Sequence, residues 1–144
     1  MNEYYDVVDS LKFKEKRFEA GVILAGGVGA TETRGIPIPP EKLEALIWGL
    51  KHPSSPVRWG VLEILDNHPG DEAVTYIVEA LDDPVPRVRW HAVHALTCEL
   101  CKDACKDGHS NLTSDIETRM RNIVANDPSP KVRGAAKYAL GINS

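Results

Sequence analysis

The chain has 144 residues, of which 42% are apolar and 26% charged, and its formal net charge is −4. This length suits one domain with a substantial core, and the negative charge argues against an extended nucleic-acid surface, which needs clustered Lys and Arg. The sequence shows neither an apolar run of the roughly 20 residues that cross a bilayer nor the basic start of a signal peptide, so we expect no membrane contact and a cytoplasmic location.

The first part of the chain predicts two helices separated by a long loop. The first helix is expected to begin after Ser10, a suitable N-cap, and to end at Gly26-Gly27. Glycines and prolines exclude regular structure from residues 26–40, which lack the Gly-Lys-Ser/Thr ending of a phosphate-binding loop. Pro39 or Pro40 then opens the second helix, whose apolar residues have helical spacing: Leu43, Leu46, Ile47 and Leu50.

Five further helices follow, which gives about seven in all and no strand-like stretch. A cysteine-rich insertion at 98–112 separates the fifth helix from the sixth, which begins near Thr113 or Ser114, and the seventh ends at Gly141. The residues expected to face inward in helices three to seven are, in turn, Val57, Val61, Ile64 and Leu65; Val74, Ile77, Val78 and Leu81; Val88, Ala92, Ala95 and Leu96; Ile116, Met120, Ile123 and Val124; and Val132, Ala136, Ala139 and Leu140.

One segment occurs several times along the chain. D-P-V-P-R-V-R-W-H-A-V-H-A-L at residues 83–96 returns as D-P-S-P-K-V-R-G-A-A-K-Y-A-L at 127–140 and, more loosely, as H-P-S-S-P-V-R-W-G-V-L-E-I-L at 52–65. The spacing of Arg17, Ala20, Ile23 and Leu24 marks a degenerate first copy, in which Lys16 replaces the Val. A repeated segment of this kind is a unit that stacks on copies of itself.

The repeated pattern D-P-x-P-x-V-R-x-x-A-x-x-A-L resembles the HEAT repeat, closest to the short repeats of phycobilisome-lyase-like proteins. The resemblance covers residues 40–141 well and 12–26 weakly. It implies an all-α, right-handed solenoid of antiparallel helix pairs that serves as a scaffold for other proteins, and some relatives handle bilin chromophores. We therefore predict a single domain, 1–144, with units at 11–50, 55–81 and 86–126 and a final helix at 130–141.

One repeat position is occupied by arginine in every copy: Arg58, Arg89 and Arg133, with Arg17 as a weaker fourth. Asp83 and Asp127 precede two of these arginines by six residues. The resemblance implies that such residues form a structural ladder between neighbouring units, for which charge-assisted pairs are suited. An anion-binding row is the alternative, and His52 in place of the acid predicts a weaker rung in the first clear copy.

The next repeat position carries aromatic rings: Phe18, Trp59 and Trp90, with Gly134 in the last copy. The rings either pack against the neighbouring unit or form an exposed row beside the arginines. An exposed row of this composition is typical of a partner-binding surface. His91 and His94 follow Trp90 and complete the predicted partner-binding residues.

The three cysteines and one histidine of the insertion, Cys98, Cys101, Cys105 and His109, form the most specific chemical pattern. Three thiolates and an imidazole could complete a tetrahedral zinc site. The same spacing also fits buried packing thiols, an iron–sulfur cluster or redox groups. Both long loops, 26–39 and 98–112, follow the first helix of a predicted unit, so they are expected on one rim, either as a functional notch or as tolerated insertions.

These patterns favour a non-enzymatic protein-interaction scaffold, because no arrangement of residues typical of catalysis stands out. The alternative is a metal- or ligand-binding protein that uses the Cys/His-rich insertion, with a bilin-lyase-like activity as a remote variant.

Overall fold

The computed structural model of the protein describes residues 2–25, 38–66, 71–97 and 114–141, within which all regular structure is helical. In these ranges, short 3-10 turns at Ser10–Lys12, Lys14–Lys16 and Ala80–Asp82 accompany eight α-helices. The helices are α1 (Tyr4–Asp9), α2 (Arg17–Ala25), α3 (Pro40–Gly49), α4 (Ser55–Asp66), α5 (Asp71–Glu79), α6 (Pro86–Thr97), α7 (Ser114–Asn126) and α8 (Pro130–Ala139). No helix in these ranges is long and apolar enough to cross a membrane.

The helices stack as an all-α solenoid. Helices α2, α4, α6 and α8 pack side by side in chain order and form one layer, called here the arginine layer because each helix carries the repeat arginine. On the other side, α3 packs against α1 and α5, while α7 packs on α8. The predicted fold class is confirmed.

The start of the chain differs from the prediction. The expected start of the first helix after Ser10 is wrong: α1 comes earlier, two 3-10 turns follow, and α2 begins only at Arg17. Residues 17–25 are helical as expected, and the predicted end at Gly26-Gly27 lies outside the described residues. Phe13 has an extended backbone (φ −98°, ψ 119°), which breaks the helix, and the Ser10 hydroxyl donates to the Val7 carbonyl instead of capping a new helix. The side chain of Asn2 accepts a hydrogen bond from the Tyr4 N–H at 2.9 Å and so caps α1.

Helix α1 was not predicted from the sequence, and it provides a helix with which α2 can pair. The predicted units, 11–50, 55–81 and 86–126, pair each arginine-layer helix with the helix that follows it and leave the last helix single. Because α1 precedes α2, each helix of the arginine layer can also be paired with the helix before it. Among the described helices, that division gives four pairs and leaves none single.

The core follows the repeat positions. Val57, Val88 and Val132 are fully buried at one position, and Val61, Ala92 and Ala136 at the next inward one. Lys16, which replaces the Val in the first copy, is exposed, as suits a terminal unit. Seven other residues that were predicted to face inward are only half-buried: Leu43, Ile47, Val74, Val78, Val124, Ala139 and Leu140.

Candidate functional site

Two arginines of the repeat link neighbouring units through bidentate ion pairs. Arg58 donates from Nε and Nη2 to the two carboxylate oxygens of Asp83, at 2.8 and 3.2 Å. Arg89 donates in the same way to Asp127, at 2.9 and 3.0 Å. The Asp83 and Asp127 carboxylates also accept backbone N–H bonds from their own turns. Each rung therefore fixes a turn as well as joining two units.

The same arginines also brace the turn before their own helix. Nη1 of Arg58, Arg89 and Arg133 donates to the carbonyl six residues earlier, at 2.8, 3.0 and 2.6 Å. Arg17 repeats this bond from Nε to Leu11 at 2.9 Å. Because the guanidinium groups of Arg58 and Arg89 are occupied on both sides, this geometry supports a structural ladder over an anion-binding row.

The ladder changes at both of its ends. His52 stands where later copies have Asp, and its Nε2 lies 2.8 Å from Asp9, so α1 replaces the missing rung with a different pair. Arg133 closes its own turn but has no acid ahead of it among the described residues. Burial would raise the pKa of Asp127, yet hydrogen bonds from Arg89 and the Ser129 N–H outweigh it and lower that pKa below its usual value.

The aromatic position is covered to different extents in the three copies. Phe18 is 83% exposed, Trp90 is half-buried and Trp59 is only 7% exposed. The guanidinium carbons of Arg17 and Arg87 lie 4.6 and 3.8 Å from the centre of the Trp59 ring. Trp59 therefore packs against neighbouring units, which is the first of the two predicted alternatives. The prediction of an exposed ring is wrong for this residue, because two cations cover it.

His91 and His94 extend the aromatic contacts along α6. The His91 ring stacks on Trp59, with centroids 5.6 Å apart, and meets the edge of Trp90 at 4.9 Å. His94 stacks on the Trp90 ring at 5.2 Å, and its Nδ1 lies 2.8 Å from an Asp66 carboxylate oxygen. Burial, followed by the charge of Arg87, lowers the pKa of His91 to about 4. The hydrogen bond with Asp66 raises the pKa of His94.

Two cations next to these rings were missed by the sequence reasoning. Arg87 and Lys131 occupy one repeat position, directly before the buried Val, and both are exposed. Arg87 reaches back over Trp59 of the preceding unit, and Lys131 Nζ lies 6.0 Å from the centre of the Trp90 ring. In the unit that follows Phe18, Pro56 occupies the same repeat position instead of a cation. The sequence feature that could have identified these two cations is that a tryptophan in one copy of the repeat is followed by a cation at this position in the next copy.

Two grooves flank Arg87 on the arginine layer. The first groove, about 330 Å³, is lined by Leu11, Arg17, Phe18, Trp59, Gly60, Glu63, Ile64 and Arg87. The second groove, about 530 Å³, is lined by Pro86, Arg87, Trp90, His91, Ser129, Lys131 and Val132. Rings and cations from successive units thus meet at two neighbouring concave sites. Such an arrangement can hold apolar and negatively charged groups together.

The predicted metal ligands Cys98, Cys101, Cys105 and His109, together with the loop at 26–37, lie outside the described residues. Within the described ranges, no three His, Cys, Asp or Glu side chains are grouped so that they could hold a metal ion. The zinc site therefore stays a prediction from the spacing of the cysteines.

The fold and the repeated rungs define an α-solenoid repeat protein. Residues 43–107, which include α4, α5, α6 and most of α3, match the family model for HEAT repeats, so this part of the chain is similar to HEAT repeats. Bilin handling stays a prediction of the finer resemblance, because the matched model describes HEAT repeats in general. No similar curated protein and no similar solved structure was found.

Proposed function

We propose that the protein is a non-enzymatic scaffold that binds another protein along its arginine layer. One observation carries this proposal: consecutive units place a tryptophan under a cation of the next unit, and grooves lie on both sides of the shared Arg87. Stacked helical repeats commonly present extended binding surfaces of this kind. Trp and Arg are also the residues that most often dominate the energy of protein interfaces.

The second groove supports the binding role more strongly than the first. Trp90 is only half-buried, so its ring can still contact a partner, whereas Trp59 is already covered. Aromatic rings and cations supply contact area and charge for recognition, so the residues of this groove favour a binding function over a catalytic one.

The test uses the full chain as bait for a displayed library of random peptides. We expect enrichment of a related set of sequences, whose binding to purified variants is then measured by titration. Trp90→Ala should weaken binding about tenfold or more, since a central ring is worth more than about 1 kcal/mol. Trp48→Ala is the matched control, because Trp48 is 37% exposed and lies on α3, outside the arginine layer. Equal weakening by both variants, or no enrichment, would contradict the proposal.

A further inference from the structure

We propose that the second groove binds an extended acidic segment of the partner, with two carboxylates three residues apart and an apolar side chain between them on the Trp90 ring. This inference rests on the proposed function, because it names the kind of segment that the arginine layer would bind.

The first argument is the state of the two cations. Neither Arg87 nor Lys131 has a hydrogen bond or an ion pair within the described part of the chain, and both are exposed. Each of the two cations lies over an aromatic ring instead. Arg89, two residues after Arg87, is by contrast only 8% exposed and is held by Asp127. A guanidinium over a ring keeps N–H donors for a bidentate bond to a carboxylate.

The second argument is the sign of the local charge. The chain as a whole carries a net charge of −4, yet none of the described residues that line the second groove is an acid. The first groove includes Glu63 and is therefore mixed in charge. The second groove is also bordered by the first turns of α6 and α8, through Pro86 and Ser129, and helix N-termini add partial positive charge. A negatively charged segment complements this groove better than the first one.

The third argument is spacing. Arg87 and Lys131 hold the same register on α6 and α8, which pack side by side. Packed helices lie about 8–10 Å apart. An extended peptide in the polyproline II conformation advances about 3.1 Å per residue and presents every third side chain on the same face. Carboxylates at positions i and i+3 of such a peptide are therefore about 9 Å apart on one face and match the two cations. Separate single charges at this distance fit two carboxylates better than one compact dianion such as a phosphate.

The experiment titrates the full chain with capped synthetic peptides and follows tryptophan fluorescence. The probe carries Glu-Leu-Phe-Glu between glycines, and the matched peptide carries Gln-Leu-Phe-Gln. We expect the Glu peptide to bind at least about fivefold more tightly, and the difference to shrink as salt is added. Arg87→Glu and Lys131→Glu should each remove the preference, with Arg87→Gln as a second variant if the reversal disturbs folding by circular dichroism.

Lys42→Glu provides the matched control. Lys42 Nζ also lies over an aromatic ring, 5.4 Å from the centre of Tyr4, but on α3 and away from the arginine layer. This variant makes the same charge change and should bind the Glu peptide like the unchanged protein. Loss of binding in Lys42→Glu would overturn the groove assignment, because it would make the effect one of total charge.

Three other outcomes would overturn this inference, and they are distinguishable from failure of the proposed function. If both peptides bind equally and both need Trp90, the groove binds an apolar segment, and the proposed function survives. If a phosphoserine peptide or a single-stranded oligonucleotide binds more tightly than the Glu peptide, the groove is selective for phosphate. If neither peptide binds while the displayed library yields ligands that need Trp90, the scaffold function holds with another class of segment.

Discussion

His91 and His94 lie about one turn apart on α6, yet their surroundings shift their pKa values in opposite directions. His91 is enclosed by the Trp59 and Trp90 rings near Arg87, so its charged form is disfavoured. His94 stacks on the outside of Trp90 and bonds to Asp66, so its charged form is favoured. The repeat register of the sequence predicts which residues share a position, but it does not predict these differences. They depend on side chains that neighbouring units bring to each ring.

The two histidines predict opposite effects of pH on stability. Between pH 6.5 and about 4, the unfolded chain binds more protons at residue 91 than the folded chain, so the free energy of unfolding should fall as the pH falls through this range. His94 has a raised pKa in the folded protein, so its contribution is fully present below pH 6.5 and is lost as the pH rises through the folded value.

Urea denaturation of two variants at a series of pH values checks this prediction. His91→Gln should reduce the loss of stability on the acid side, and His94→Gln should reduce the loss on the alkaline side. Unchanged pH profiles in both variants would show that neither the burial of His91 nor the hydrogen bond between His94 and Asp66 shifts the pKa of its histidine.

At the scale of the helix, repeat periodicity predicts the later elements better than the first ones. Prolines in the first turns of α3, α6 and α8 predict where those helices begin, and buried valines in register also mark α6 and α8. The beginning of the chain lacks the repeat pattern, and the signal for α1 was a different one. Val8 and Leu11 are buried and lie at helical spacing from Tyr4, and Asn2 provides the cap. The break at Phe13 depends on the tertiary position of α2, which local propensity does not report.

Two glycines in helices predict opposite results for the same substitution. A Cβ atom on Gly49 in α3 would lie 2.6 Å from Val8 Cγ1 and 2.8 Å from Val61 Cγ2, because α1 and α4 approach closely there. Gly49→Ala should therefore lower the free energy of unfolding by about 1–3 kcal/mol. A Cβ atom on Gly134 in α8 has nothing within 4 Å, so Gly134→Ala should raise it by about 0.5–1 kcal/mol.

Chemical denaturation of both variants measures the difference directly. Both changes are Gly→Ala in a helix, and the gain in propensity is largest at Gly134, which lies inside α8, whereas Gly49 is the last residue of α3. The close contacts at Gly49 decide the sign there. A stabilised Gly49→Ala variant would mean that α1 can move away from α3 without loss, and it would contradict the role given to α1 as a packed terminal helix.

At the scale of the whole molecule, the ladder keeps its geometry although the spacing along the chain changes. Arg58 and Asp83 are 25 residues apart, and Arg89 and Asp127 are 38 apart, yet both pairs are bidentate at similar distances. The stack could be predicted because the residues that form it recur in register. The two grooves beside Arg87 could not be predicted in this way, because each groove is formed by residues of two neighbouring units.

The rung between Arg89 and Asp127 predicts how strongly these interfaces are held. Both side chains are 10% or less exposed, so removing one partner leaves a poorly solvated charge. Arg89→Ala should lower the free energy of unfolding by about 3 kcal/mol. The Arg89→Ala, Asp127→Ala double variant should lose less than the sum of the single losses, since the two residues act as a pair.

Arg121→Ala is the control, because the Arg121–Glu117 pair lies within α7 with its side chains 61% and 42% exposed. This substitution should lower the free energy of unfolding by less than about 0.5 kcal/mol. If Arg89→Ala costs no more than Arg121→Ala, apolar packing alone holds α6 to α8, and the ladder does not stabilise the stack.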